Sequence, residues 1–157
     1  MDEDHPLELA RQELKRVNHL YYVSLKYTRT VDVVRNVLER MINCMSNLLD
    51  AVLIHAEQEG HIKQKPQSPG TRAEALLKLY PDDAQLRDFV LFYQKIRHIF
   101  RSPFTRREEY RRHVTMISSL DTGEIIEISI DSLKENFDTV ETFFQFVKQK
   151  IHPEEKL

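Results

Sequence analysis

Tryptophan is absent from this chain of 157 residues, glycine occurs three times and cysteine once. So little glycine argues against a turn-rich all-β fold and for helices. The lone cysteine, Cys44, excludes an internal disulfide, and no apolar run reaches the roughly eighteen residues that span a bilayer. Also missing are a phosphate-binding glycine loop, a dinucleotide-binding glycine pattern, and any His-x3-His or HExxH spacing among His5, His19, His55, His61, His98, His113 and His152. Neither a metal nor an organic cofactor is therefore expected. Charge of one sign is lacking too: the formal net charge is −2, so any attraction to nucleic acid has to be local. The start, "MDEDHP", is acidic where a secretory signal is basic and then apolar, which leads to the expectation of a cytoplasmic protein with no membrane partner.

What is present is helical periodicity. Pro6 suits a first helical turn, and Leu7, Ala10, Leu14, Val17 and Tyr21 follow at steps of three and four, predicting a helix over about 6–26. Thr28 or Thr30 can cap a second helix carrying Val34, Leu38, Met41, Met45, Leu48 and Val52, ended by Gly60. Cys44 and the two methionines read as core. Residues 61–70, "HIKQKPQSPG", read as an exposed connection. "TRAE" at 71–74 reads as a capping box for a short helix stopped by Pro81; Asp82 and Gln85 repeat the capping logic for a helix bearing Leu86, Phe89, Val90, Tyr93, Ile96 and Phe100, broken by Pro103. "TRRE" at 105–108 then predicts a further helical turn or two. Val114 and Met116, then Ile126, Ile128 and Ile130, recur at period two around "DTG" at 121–123, which predicts a β-hairpin; the rival reading continues the helix through Ile117. "SLKE" at 132–135 opens a last helix with Leu133, Phe137, Val140, Phe144, Val147 and Ile151. The expected fold is mainly α: an up-and-down bundle of four to five helices with a small C-terminal β-hairpin. One domain over 1–157 is expected, with the bundle at 6–112, the hairpin at 113–130 and the C-terminal helix at 132–151.

The stretch "FRSPFTRREEYRRHVTM", Phe100 to Met116, concentrates the positive charge. Between Lys95 and Arg112 there are seven Lys/Arg against two Glu, with His98 in addition. Lys95, Arg97, Arg101, Arg107, Arg111 and Arg112 form a candidate nucleic-acid or acidic-partner surface, because each phosphate neutralised releases condensed counterions. Tyr93, Phe100, Phe104 and Tyr110 are candidate stacking surfaces for unpaired bases, or else core. On a helix, 100° per residue puts Arg106 and His113 on one face and displaces Arg107 from His113 by roughly 120°. Arg106 and His113 are accordingly the candidate catalytic pair: the imidazole moves a proton at a ribose 2′-hydroxyl or leaving oxygen while the guanidinium stabilises charge on phosphorus. The alternative is a solvated or salt-bridged face on a non-catalytic structural or adaptor protein.

Two long helices, a short intervening helix and an Arg-x(4–6)-His element, here "TRREEYRRH" after the last long helix, resemble the HEPN families, the higher eukaryote and prokaryote nucleotide-binding domains. The likeness covers about residues 6–113, and either Arg106 or Arg107 reaches His113 within the family's spacing. The resemblance implies a homodimer and either metal-independent endoribonuclease activity through the Arg and His or a non-catalytic role as an RNA-binding or protein-partner module. The hairpin and aromatic terminal helix lie outside the family's bundle.

Overall fold

A computed structural model describes residues 2, 4–66 and 68–154; Gln67, inside the expected 61–70 connection, lies outside the described residues. The fold is mainly helical with a small antiparallel sheet towards the C-terminal side. Its central post is α3, Val31–Gln58, which at 1.5 Å per residue is about 42 Å long. Thr30 caps it, accepting from the Val33 N–H at 3.3 Å. At the other end Gly60 takes φ +80°, the Gly60 N–H bonds the Glu57 carbonyl at 3.1 Å and the His61 N–H bonds the Ala56 carbonyl at 2.9 Å. That pair of bonds needs a left-handed residue, for which glycine has no Cβ penalty. Val34, Leu38, Met41, Cys44, Met45, Leu48 and Val52 are all buried along the post.

The other helices surround α3. The first, α1 (Asp4–His19), continues through a π-helical turn, Leu20–Ser24, into the short α2, Leu25–Tyr27. Its inward face includes Glu13, whose carboxylate is 2.5 Å from Arg16 and 3.4 Å from Arg40 of α3. The π turn aims Tyr21 across the bundle, where its hydroxyl donates to the Ile130 carbonyl at 3.2 Å. Burial first, and then Tyr22, pushes the Tyr21 phenol above its ordinary value.

Three helix starts differ by one to three residues from the sequence expectation, each for a capping reason. α4 (Pro69–Leu79) is capped by Ser68 with Pro69 in its first turn, so the "TRAE" box at Thr71 lies inside the helix. α5 (Ala84–Arg101) is capped by Asp83, whose carboxylate accepts the Leu86 N–H at 3.0 Å, in place of Asp82. α6 (Ile130–Ile151) opens with a reciprocal box between Ser129 and Ser132, three residues before the expected one at Ser132 and Glu135. In each case a nearby Ser or Asp satisfies the orphan N–H groups instead, three residues earlier for Ser68 and Ser129 and one residue later for Asp83.

The largest correction concerns residues 104–113. The helix expected from "TRRE" does not form; Phe104–Arg107 is a strand, β1, antiparallel to β2 (Thr115–Ser119), which pairs in turn with β3 (Ile125–Ser129). The expected hairpin is thus two-thirds of a three-stranded meander, and the helical portion ends at Arg101 and not at 112. Pro103 forbids continuation of α5, and the Phe104–Ser118 register gives each strand-facing group a partner that an isolated helical turn lacks. The hairpin closes at Gly123, φ +92°, with the Gly123 N–H bonded to the Leu120 carbonyl at 3.0 Å. Met116, Ser118 and Ile128 face the core, and the Ser118 hydroxyl donates to the Ile99 carbonyl of α5 at 2.8 Å.

Candidate functional site

Between β1 and β2 the chain turns through Glu108 to Val114, and this turn is tied down from three directions. The Tyr110 N–H donates to the Arg29 carbonyl at 2.6 Å, and the Val31 N–H at the start of α3 donates to Glu109 Oε2 at 2.9 Å. Arg106 bonds Glu109 Oε1 at 3.2 Å and Asp32 Oδ1 at 3.0 Å. The Asp32 carboxylate, and after it Glu109, pushes the Arg106 guanidinium further above its ordinary value. Within this clasp Glu108 and Tyr110 adopt φ +55° and +67°. Left-handed backbone at residues with a full side chain costs on the order of 1–3 kcal/mol each and persists only where surroundings impose it.

Strand alternation decides what faces where. Arg106 pairs with Met116 and Arg107 with Thr115, so the two arginines leave opposite faces of the sheet. Arg106 goes towards α3, and Arg107 goes to the outer face, where it meets the Glu127 carboxylate. On that outer side lies a cleft of about 660 Å³. One wall is the turn, with Arg107, Glu108, Arg112, His113 and Thr115; the other is the start of α6, with Ser129, Ile130 and Asp131; Arg29 closes the end. The Arg29 Nε–H is shielded from solvent and has no hydrogen-bond partner among the described residues. A shielded guanidinium N–H without an acceptor is costly. Three arginines here meet three carboxylates, Glu108, Asp131 and the Glu127 paired with Arg107, so the cations left for an anion are chiefly Arg29 and Arg112.

The structure brings Arg107, Arg112 and His113 of the candidate residues together, and it separates Arg106 from His113 because they share no helix. Arg111, Arg112 and His113 are exposed, and none makes an ion pair among the described residues. Lys95 and Arg101 are exposed on α5, and Arg97 lies over the Tyr93 ring at 5.4 Å; none of the three lines the cleft. The aromatics divide equally clearly. Tyr93 is buried, and the rings of Phe100 and Phe104 each lie 4.2 Å from the Arg35 guanidinium, which also donates to the Phe100 carbonyl at 3.2 Å. Burial, and then the charge of Arg106, lowers Arg35 from its ordinary value. Those two phenylalanines therefore bind an internal cation, and Tyr110 alone of the four projects into solvent.

Arg29, Ser129 and Asp131 were not legible as site residues. Arg29 is a single cation in the short "YTRT" connection, far in sequence from the basic segment, and only tertiary structure delivers it. Elsewhere, Cys44 is enclosed, and burial pushes its thiol up to about 12. His98 meets Asp121 at 2.8 Å, outside the cleft. Among the described residues no group of three or more His, Cys, Asp or Glu is placed to hold a metal ion, and no helix is long and apolar enough to cross a membrane. No family model, no curated protein and no solved structure matches the chain.

Proposed function

We propose that this protein binds RNA, with phosphate groups held in the cleft by Arg29, Arg107 and Arg112. The observation that carries the reading is the convergence of these three guanidiniums on one open cleft, with the Arg29 Nε–H left unpaired. Arginine suits phosphate because its planar fork matches two oxygens at once. The long-helix bundle supports a HEPN-like kinship, whereas a strand-and-turn location for the Arg/His element does not. Homodimerisation is part of the reading: β1 and β3 each pair on one side only among the described residues, and a free strand edge favours pairing with a second copy.

The cleaving version of this reading is favoured by one observation, the exposed His113 imidazole on the same wall as Arg107 and Arg112. There His113 would take the proton of a ribose 2′-hydroxyl as its oxygen attacks phosphorus and the bond from phosphorus to the 5′-oxygen breaks, leaving a 2′,3′-cyclic phosphate and a 5′-hydroxyl that takes its proton from water, with Arg112 meeting the developing charge. Arg106 no longer belongs to it within one chain, because Asp32 and Glu109 occupy its guanidinium. The adaptor reading is favoured by the same two ion pairs and by Arg107 with Glu127, which show part of the basic segment serving the fold.

Anisotropy of a labelled single-stranded RNA at several salt concentrations tests the binding reading. Each phosphate contact contributes a slope of about −0.7 in log affinity against log salt, so Arg112→Ala is expected to weaken binding and flatten the slope by about that amount. Salt-insensitive binding, or no binding, contradicts it and leaves the adaptor reading. Incubation of RNA in EDTA with the native protein and with His113→Ala separates binding from cleavage: equal RNA survival removes the nuclease version.

A further inference from the structure

Tyr110 is the most uneconomical residue of the clasp. A bulky residue at φ +67° is disfavoured by clash with its own backbone, and such strain is normally repaid by burial or by contacts of the side chain. Tyr110 receives neither: the residue is 78% exposed and its ring contacts no other ring or cation among the described residues. Its backbone N–H bond to the Arg29 carbonyl would be equally available to glycine, which adopts the same φ without penalty. Fold stability therefore accounts for the turn but not for the ring.

What surrounds the ring narrows its use. Tyr110 is followed by Arg111 and Arg112, and its backbone is bonded to Arg29, so it stands at the junction of the two segments that supply the cations of the cleft. The other segment carries Tyr27, 80% exposed, two residues before Arg29. These two rings are the most exposed large hydrophobic side chains among the described residues. Neither ring is in the lining of the cleft, but each belongs to a residue two positions along the chain from one of its arginines, and an exposed aromatic face so placed matches the way unpaired nucleotides are held, the backbone on cations and the base on a π surface. A duplex keeps its bases stacked on one another and offers no free face.

We propose that Tyr110 is a stacking platform, and that the ligand of the cleft is single-stranded RNA with an unpaired base on the Tyr110 ring. The inference rests on the RNA-binding reading of the cleft and specifies its substrate class. An acidic protein partner would use the arginines without requiring the ring.

The absence of tryptophan from the chain supplies a clean reporter. In Tyr110→Trp, emission excited selectively from indole comes from this one position. Titration with a single-stranded oligoribonucleotide is expected to quench it, while a duplex of equal length binds through its phosphates with little quenching. In parallel, Tyr110→Ala is expected to lose about 5- to 150-fold affinity for the single strand, the usual loss on removing one base-stacking ring, and to keep duplex affinity unchanged. Arg112→Ala weakens both. Tyr110→Gly, which relieves the strain, should unfold no more easily than the native protein while showing the same selective loss, which separates a folding defect from a binding one. If Tyr110→Ala and Tyr110→Gly bind single strands like the native protein, the stacking role is overturned and the phosphate reading survives. Binding of neither polynucleotide overturns both readings. Indole emission that responds to protein concentration or to an acidic peptide, and not to RNA, overturns the stacking proposal in favour of a protein contact.

Discussion

Arg106 and Arg107 are neighbours in the chain with opposite fates, because consecutive side chains of a strand leave opposite faces. On a helix the better partner of His113 was Arg106; on β1 it is Arg107, whose strand face carries Thr115 and the cleft. Arg106→Ala should therefore lower thermal stability slightly, through release of Asp32 and Glu109, and leave RNA affinity unchanged. Cys44 yields a prediction of a different kind. Its thiol, pushed by burial to about 12, stays protonated in the fold while the unfolded chain ionises above about 8.5. A raised acid pKa favours the unfolded state as pH rises, so stability should fall through the window from about 8.5 to about 12, and Cys44→Ala should show a shallower decline. Alkylation at pH 8 should be negligible in native protein and fast in denaturant; equal rates would show that Cys44 is not enclosed.

Helix ends and strands were legible to different degrees, for a physical reason. The seam of α3 repeats over many turns and is read correctly from spacing alone. A cap is one side chain deep, and alternatives crowd a start such as "QSPGTRAE", so Ser68, Asp83 and Ser129 displaced neighbouring candidates by one to three residues. β1 was illegible because "TRRE" is a good local capping signal, and what overrides it is non-local, the pairing with Thr115–Ser118. Removing a cap is measurable: Ser129→Ala should cost about 1 kcal/mol in urea unfolding. Asp83 carries a pH signature as well. Burial alone would raise its carboxyl, but the Leu86 N–H, and after it Lys150 at 2.9 Å, hold it below its ordinary value. A depressed carboxylate stabilises above its unfolded value of about 3.9 and loses that contribution as pH falls below it. The stability gap between native protein and Asp83→Asn should therefore be full near neutrality and close in acid; a gap independent of pH would contradict the ion pair.

The core and the proposed binding cleft occupy different parts of the fold. The core is organised on α3, against which α1, α4, α5, α6 and β2 pack, whereas the cleft is built at the margin from the α2–α3 connection, the β1–β2 turn and the start of α6. Leu48→Ala, at a fully buried position, should cost about 2–5 kcal/mol in urea unfolding. Arg112→Ala should leave the unfolding midpoint in place. The core was readable in the sequence because it is periodic; the candidate site was readable only as a concentration of charge, since Arg29, Arg107 and Asp131 meet through three separate connections. The decisive comparison is the affinity of Arg106→Ala and of Arg107→Ala for one single-stranded RNA, measured side by side at the same salt. A clear loss in Arg107→Ala with native affinity in Arg106→Ala is the expected result. Loss in Arg106→Ala with native affinity in Arg107→Ala would place RNA on the opposite face of the sheet and contradict the cleft as its site.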